Sequence, residues 1–433
     1  MSESLVIREV TVTPVAFHDA PLLNAVGVHE PYALRSVIQL HCDGGIVGLG
    51  ESYGDDAFLA LLNAAAPRLV GLDAFHLGRI RAAVRETCGG GAFADSHGLT
   101  GRSSSSKTVL SVFSAFEVAC LDAQGKAVGR PVADLLGGPV RDAVPFSAYL
   151  FYKWAEHPAG PEEARADRWG EALDPDGIVR QARRMVDEYG FGAIKLKGGV
   201  FAPEEEIEAV RALRREFPEL PLRLDPNAAW TVPTSLKVAD ALEGVLQYLE
   251  DPTDTIDGMA EVARHTLRMD TPMPLATNMC VVAFEHLEPA LRRDAIQVLL
   301  SDHHYWGGLG MSQRVSTLCE AFGVGLSMHS NSHLGISLAA MVHLASATDH
   351  LSYACDTHWP WKREDEDVIA PGTLAFEGGA VAVPTGPGLG VELDEESLER
   401  LHRLYLDCGL RKRDDTGYMR SVDPYYRPHT PGW

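Results

Sequence analysis

A series of polar residues in the second part of the sequence recurs at nearly constant spacing, and their types suit acid–base and metal chemistry. The intervals between them are 28, 25, 28, 24, 27 and 27 residues. Each of them ends a short apolar run, where a buried strand would otherwise continue with packing residues. One such residue alone is often a helix N-cap, but the whole series predicts a single site. The series is Lys197, Asp225, Glu250, Asn278, Asp302, His329 and Asp356.

The elements that position these residues are predicted by the alternation of apolar, β-rich runs with amphipathic helical segments. The alternation predicts an α/β fold with a (β/α)8 barrel of the TIM type, in which the C-terminal ends of the strands meet at one mouth. The eight runs are 145–151, 193–197, 220–225, 245–250, 273–278, 295–302, 323–329 and 351–356. Earlier in the chain, strand patterns at 6–17, 36–42 and 46–51 are followed by helical patterns at 56–69, 72–88 and 108–129. That order predicts a separate α+β unit over the first ~135 residues.

Three neighbouring strand ends carry oxygen ligands, namely Asp225, Glu250 and Asn278. A small set of carboxylate and amide oxygens that leaves room for water or substrate suits Mg²⁺. The histidines also suggest zinc. However, the segments around His303 and His329 have neither a glutamate at metalloprotease spacing nor a nearby cysteine, so zinc is the weaker interpretation.

Two groups near these ligands could transfer protons. Lys195 and Lys197 leave the strand on the same face, and repulsion between two ammonium groups would lower the pKa of one of them from about 10.4 toward neutrality. The alternative is that the pair binds an anion without proton transfer. His329 could act as an acid or base if Asp302, one strand earlier, orients its ring. The alternative there is a hydrogen-bonded structural histidine.

The combination of metal ligands and two bases indicates proton abstraction next to a carboxylate, because a divalent cation stabilises the enediolate that forms. These residues leave open whether re-protonation or loss of a β-hydroxyl follows.

Composition excludes several other classes of function. The 433 residues have a net charge of −22, which argues against nucleic acid and anionic membranes as partners. No signal peptide or membrane-spanning stretch is visible, and the seven cysteines include no Cys-x-x-Cys pair. We therefore expect a cytoplasmic protein with reduced thiols, acting on a small molecule.

The ordered set of motifs resembles the glucarate dehydratases of the enolase superfamily, over nearly the whole chain. Asn278 is informative, because many relatives in the superfamily have a carboxylate at this ligand position and the glucarate dehydratases do not. The motifs are KLKGGV at 195–200, DPNAAW at 225–230, EDP at 250–252, ATNM at 276–279, SD at 301–302 with Trp306, HSNSH at 329–333, DTHW at 356–359 and RDD at 413–415.

The resemblance implies an enolase-like fold and a specific reaction. An α+β capping domain (1–135) and a C-terminal segment (396–433) would close over a modified TIM barrel (136–395). Mg²⁺ would bind Asp225, Glu250 and Asn278. Lys197 would abstract the α-proton of a hexose diacid, and His329 with Asp302 would act on the opposite face. D-glucarate and L-idarate would both yield 5-dehydro-4-deoxy-D-glucarate.

Further residues receive roles only through this resemblance. Asn227 would hold the enediolate, and Lys195 and Arg413 would supply positive charge for the acid. The substrate-binding set would be His29, Ser103, Tyr149, Lys195, Asn331, His358 and Arg413. The chain would be a homo-oligomer that serves acid-sugar catabolism. The alternatives are a dehydratase or epimerase for another aldarate such as galactarate, or a non-catalytic relative.

Overall fold

A computed structural model describes residues 4–90, 103–158, 167–428 and 430–433. Its N-terminal part is an antiparallel sheet of order β1-β4-β5 with a small β2-β3 hairpin and three helices. The strands are β1 (Ile7–His18), β2 (Leu23–Asn24), β3 (Gly27–Val28), β4 (Tyr32–Cys42) and β5 (Val47–Tyr53). The helices are α1 (Asp56–Leu69), α2 (Leu77–Cys88) and α3 (Ser105–Val128). The predicted strands and helices of this region are confirmed.

Helix α3 lies directly against the sheet because β5 has glycines where the two backbones meet. A Cβ atom at Gly48 would lie 2.0 Å from the Ala119 carbonyl oxygen, and one at Gly50 would lie 2.3 Å from that of Ala115. Only glycine permits such an approach. The helix begins where the Ser104 side chain accepts the N–H of Lys107. The same helix also packs against barrel helices, so it connects the two parts of the molecule.

The barrel is a parallel sheet of seven strands in the order β13-β12-β11-β10-β9-β8-β7. Its core is built from apolar side chains of the strands and the surrounding helices. The strands are β7 (Ala148–Phe151), β8 (Ile194–Lys197), β9 (Leu222–Asp225), β10 (Tyr248–Glu250), β11 (Leu275–Thr277), β12 (Val298–Ser301) and β13 (Gly325–Met328). The helices are α4 (Val132–Leu135), α5 (Pro175–Tyr189), α6 (Pro203–Glu216), α7 (Val232–Ala241), α8 (Ile256–Thr266), α9 (Phe284–Arg292), α10 (His303–Trp306), α11 (Gly308–Ala321) and α12 (Gly335–Ser346).

The prediction of an eighth regular strand at 351–356 is wrong. This segment makes only single bridges, to β13 on one side and to Phe146, just before β7, on the other. The N–H groups of both Ser352 and Tyr353 donate to the Leu326 carbonyl, at 2.9 and 3.1 Å, which breaks the regular ladder. The segment still closes the ring, because the N–H of Asp356 donates to the carbonyl of Met328 at 2.9 Å.

The predicted run 145–151 also divides into two strands. β6 (Ala143–Pro145) pairs with β15 (Ala380–Ala382), which pairs with β14 (Phe376–Glu377) in a small antiparallel sheet. The C-terminal helices are α13 (Glu395–Cys408) and α14 (Asp415–Val422), and α13 packs on β1, where the His402 ring donates to the Pro14 carbonyl at 2.7 Å. None of the described helices is both long and apolar enough to cross a membrane. The exact domain boundaries stay a prediction.

Candidate active site

Three neighbouring strands place Asp225, Glu250 and Asn278 at one edge of the barrel sheet. Asp225 ends β9, Glu250 ends β10, and Asn278 directly follows β11. All three side chains are buried, and Lys197, at the end of the adjacent β8, pairs in register with Asp225. On the other side of the three strands, Asp302 follows β12 and His329 follows β13. The order along the sheet is therefore a lysine, three candidate oxygen ligands, an aspartate and a histidine.

Both lysines of β8 are bound to carboxylates. Lys197 Nζ lies 2.6 Å from Asp225 Oδ2, and Lys195 Nζ lies 2.7 Å from Glu250 Oε2 and 2.7 Å from Asp356 Oδ2. The expectation that mutual repulsion lowers a lysine pKa is wrong for Lys195. Burial by itself lowers the pKa of Lys195, but Asp356 and Glu250 raise it well above its ordinary value.

Negative charge exceeds positive charge at this edge of the sheet. Four buried carboxylates, those of Asp225, Glu250, Asp251 and Asp356, lie around the two lysines, and a further cation, Arg223, lies 3.9 Å from Asp356. Burial and the neighbouring carboxylates raise the pKa of Glu250 well above its usual range despite Lys195. Burial would also raise the pKa of Asp225, but Lys197 and Lys195 lower it to about 2. A cluster of buried oxygens with excess negative charge fits a divalent cation with hard-ligand preference.

The amide of Asn278 lies between this cluster and His329. One of its two terminal atoms is 3.1 Å from Glu250 Oε1 and 3.1 Å from Asp251 Oδ2, and the other is 3.2 Å from His329 Nε2. With nitrogen toward the carboxylates, the amide donates two hydrogen bonds. With oxygen there, it adds a third oxygen ligand to the cluster. The donor set therefore fits Mg²⁺, for which Asp225, Glu250 and Asn278 could serve as ligands.

Asp251 holds Asn278 in place and was missed as a site residue by the sequence reasoning. Its Oδ2 accepts the backbone N–H of Asn278 at 2.7 Å, and its Oδ1 accepts the Thr277 hydroxyl at 2.5 Å. Burial and the nearby Asp225 raise the pKa of Asp251 to about 6. Its backbone has a φ of 37°, which is unusual outside glycine and costs about 1–3 kcal/mol. The signal in the sequence was its position directly after Glu250, within the EDP motif at 250–252.

Asp302 orients His329 as the spacing predicts. Asp302 Oδ2 lies 2.9 Å from His329 Nδ1, so Nε2 is left to face the Asn278 amide and the cavity. Asp302 Oδ1 lies 2.7 Å from Nδ1 of a second histidine, His304. Burial would raise the pKa of Asp302, but His304 and His329 hold it well below its ordinary value.

Asp302, His303 and His304 are the one group of three His, Cys, Asp or Glu residues, among those the structure describes, whose ligand atoms lie close enough to share a metal. Their contacts argue against such a site. His304 Nδ1 faces Asp302, and its Nε2 lies 2.7 Å from the Arg35 guanidinium, which repels a cation. The structure thus gives no support to zinc at these histidines.

A cavity at the same mouth brings together most of the residues to which the resemblance gave a role. It is lined by Lys197, His329, Asn227, His29, Tyr149, Asn331, His358 and Arg413. Within the described part of the chain, neither side-chain atom of Asn227 has a hydrogen-bond partner although the residue is buried. Lys195 and Ser103 do not line this cavity: Lys195 lies among the carboxylates, and Ser103 is exposed just before α3.

The N-terminal part and the segment between α13 and α14 supply one side of this cavity. His29 Nδ1 lies 3.0 Å from Asp19 Oδ2. Arg413 donates through Nε and Nη2 to Asp415 at 2.8 and 2.7 Å, so its charge is matched by a carboxylate. Asp19 and Asp415 are functional candidates that the spacing of the barrel motifs could not identify. Burial and the nearby His29 and His329 lower the pKa of His358 well below its usual range, which favours the neutral ring.

The fold is that of the enolase superfamily, and family models match the chain. Residues 7–137 match the N-terminal domain of mandelate racemase and muconate lactonizing enzyme, and residues 177–397 match the enolase C-terminal domain-like family. The chain belongs to the enolase superfamily, as its motifs predicted.

Among its relatives, a probable glucarate dehydratase of Streptomyces coelicolor is 51% identical, and the match covers 100% of both chains. The crystal structure of an enolase from Thermobispora bispora with magnesium and formate is 63% identical, with a TM-score of 0.96 over 99% of this chain and 100% of that one. A third, from Pseudomonas fluorescens with magnesium, potassium and tartrate, is 48% identical, with a TM-score of 0.92 over 98% and 99%.

Proposed function

We propose that this protein is a Mg²⁺-dependent dehydratase of a hexose diacid, acting on D-glucarate and L-idarate. The observation that carries the proposal is the order along the sheet, in which Lys197 and His329 flank Asp225, Glu250 and Asn278. The probable glucarate dehydratase that is 51% identical over the full length supports the choice of substrate. The magnesium and tartrate of the Pseudomonas fluorescens relative also support it, because tartrate is a diacid with hydroxyls next to its carboxylates.

The proposed first step is removal of the proton next to a carboxylate. Bound Mg²⁺ would supply positive charge that lowers the free energy of the enediolate. Lys197 Nζ would take the proton from one face of the carbon, and His329 Nε2 would take it from the other face in the epimer. Asn227 is free to donate to an enediolate oxygen, because neither of its amide atoms has a partner among the described residues.

The second step is loss of the β-hydroxyl. The electron pair of the broken C–H bond forms a C=C bond while the C–O bond breaks. His329 Nε2–H gives its proton to the departing oxygen, which leaves as water. The enol then tautomerises to the α-keto acid, 5-dehydro-4-deoxy-D-glucarate. The same histidine thus serves both epimers, whereas Lys197 serves one.

Substrate positioning is divided among the other cavity residues. Of the predicted binding set, the residues that line the cavity are His29, Tyr149, Asn331, His358 and Arg413. For Lys195 we propose a role different from the one the resemblance implied. It neutralises Glu250 and Asp356 and holds the ligand carboxylates in place, instead of contacting the acid. Binding of substrate by Ser103 stays a prediction.

The second candidate is an epimerase or a dehydratase for another aldarate. Two bases on strands that flank the ligands favour epimerisation as strongly as dehydration. Incubating the protein and Mg²⁺ with a panel of hexarates, including galactarate, separates these functions. Keto acid from glucarate and idarate is the expected result. Deuterium from the solvent in recovered substrate without keto acid would favour the epimerase, and no reaction with any hexarate would refute both.

The cytoplasmic location and the homo-oligomeric state also stay predictions. All seven cysteines are unpaired, and six of them are buried, which is compatible with a reducing compartment. Light scattering of the purified protein would give the oligomeric state.

A further inference from the structure

A buried row of polar side chains runs from the N-terminal sheet to the proposed base His329. It begins at Arg35 on β4, continues through His304 and ends at Asp302. Each of these side chains is almost fully inaccessible to solvent, at 2 to 3% exposed. The inference rests on the proposed role of His329, but its central geometric claim can be tested without activity.

Arg35 determines which nitrogen of His304 carries the proton. Arg35 Nη2 lies 2.7 Å from His304 Nε2. A guanidinium can only donate, so the lone pair of Nε2 faces Arg35, and the Ser337 hydroxyl, 2.8 Å from the same nitrogen, is then a second donor to it. The proton is then on Nδ1, which lies 2.7 Å from Asp302 Oδ1. His304 is therefore neutral and donates to the carboxylate.

This arrangement reserves one oxygen of Asp302 for His329. Asp302 Oδ1 accepts the ring N–H of His304 and also its backbone N–H, at 2.9 Å. Oδ2 lies 2.9 Å from His329 Nδ1. With its Nδ1 proton held by Oδ2, His329 presents Nε2 to the cavity as a proton acceptor.

Arg35 is itself fixed by a second set of contacts. Its Nε donates to Glu51 Oε1 at 2.9 Å. Glu51 also accepts the backbone N–H groups of Leu334 and Ser337, at 2.9 and 2.8 Å, at the start of α12. Arg35 on β4 and Glu51 on β5 therefore hold the segment that follows His329 in place.

We propose that Arg35 and His304 are positioning residues for His329. Arg35 fixes the tautomer of His304, and His304 aligns Asp302. The N-terminal sheet thereby contributes to the steps in which His329 transfers a proton. Lys197 bonds to Asp225 on the other side of the ligand strands and, among the described residues, makes no direct hydrogen bond to this row. The two bases should therefore respond differently to changes at Arg35.

The test measures how fast deuterium from the solvent enters each of the two epimers. The variants His329→Asn and Lys197→Ala serve as references, because each removes the base on one face of the substrate carbon. One variant is His304→Asn. The other is the double change Arg35→Met and Glu51→Gln, which removes both charges of the buried pair together. We expect His329-dependent exchange to fall about 10- to 100-fold in both variants. The rate of exchange through Lys197 should change by less than about threefold, and so should the KM. A general loss of structure would instead lower exchange through both bases.

Two controls accompany these variants. Arg35→Lys keeps a donor and a charge, and should recover most of the lost exchange. His343→Asn matches His304→Asn, because His343 is a buried histidine that also bonds through both ring nitrogens, to the Ala133 N–H and the Leu389 carbonyl. It should leave both rates unchanged. The proposal would be overturned if exchange fell equally on both faces or on neither face. It would also be overturned if His343→Asn lowered exchange as much as His304→Asn.

A measurement of the tautomer separates this inference from the proposed function. Nitrogen-15 spectra of histidine-labelled protein should show His304 with its proton on Nδ1 and bare Nε2. A proton on Nε2 in the wild-type protein would overturn the inference even if the dehydratase is active. Failure to turn over any hexarate would refute the proposed function and leave this spectroscopic result to decide the role of Arg35.

Discussion

Replacing Asp302 with asparagine tests how far the chemistry depends on the orientation of His329. The carboxylate serves two rings through separate oxygens, with Oδ1 facing His304 and Oδ2 facing His329. An asparagine side chain has one oxygen and one NH2 group at these places. One of the two histidines must then accept a hydrogen bond where it donated before. If that ring is His329, its Nε2 carries the proton and can no longer act as a base.

The expected loss of activity is much larger than the loss of stability. In a Ser-His-Asp triad, the corresponding change lowers kcat about 10⁴-fold through the wrong tautomer. Asp302 is shared by two rings, so the mismatched hydrogen bond can fall on His304 instead of His329. We therefore expect kcat to fall about 10³- to 10⁴-fold. That corresponds to about 4 to 5.5 kcal/mol of activation free energy. One mismatched buried hydrogen bond lowers the free energy of unfolding by about 1–3 kcal/mol.

The assay is keto acid formation from both epimers at saturating Mg²⁺, with denaturant unfolding measured in parallel. Asp240→Asn is the matched control, because Asp240 pairs with His265 Nε2 at 2.6 Å on the protein surface, and we expect it to change neither activity nor stability. If Asp302→Asn kept kcat within about threefold of wild type for both epimers, Asp302 would not orient the base.

Three other predictions concern the second base, the metal and a buried acid. Lys197→Ala should abolish turnover of one epimer without weakening Mg²⁺ binding, and near-normal turnover of both epimers would show that the base is wrongly assigned. A chelator should abolish keto acid formation and added Mg²⁺ should restore it, so activity in excess chelator would contradict the metal assignment. Burial raises the pKa of Glu117 to about 7. The folded state therefore carries an unfavourable charge at higher pH, and the free energy of unfolding should fall by up to about 3 kcal/mol between pH 5 and 8. Glu117→Gln should remove most of this slope in denaturant titrations, and an unchanged slope would disprove the explanation.

The barrel and the order of its site residues could be predicted because each βα unit places one polar residue at the same end of the sheet. The constant spacing from Lys197 to Asp356 carries that information within the local sequence. The pairing of Asp302 with His329 follows in the same way, because neighbouring parallel strands bring consecutive ends together.

The partners of the charged groups could not be predicted, because they come from distant parts of the chain. Lys195 is neutralised by Asp356, 161 residues later, and Arg35 reaches His304 across 269 residues. No local pattern encodes such contacts. The first depends on closure of the barrel, and the second on how the N-terminal sheet sits on the barrel. The prediction of an eighth regular strand at 351–356 was wrong for a related reason. Its apolar pattern is strand-like, but tertiary hydrogen bonds to Leu326 disrupt the ladder.

The central claim is that a divalent cation lies between Lys197 and His329, bound by Asp225, Glu250 and Asn278. Crystals grown with Mn²⁺ and tartrate, measured at a wavelength where manganese scatters anomalously, test it most directly. We predict one strong peak about 2 Å from an oxygen of each of the three ligands. A peak at the buried Asp302 and its neighbouring histidines instead, or three ligand side chains that point to different places, would contradict the account.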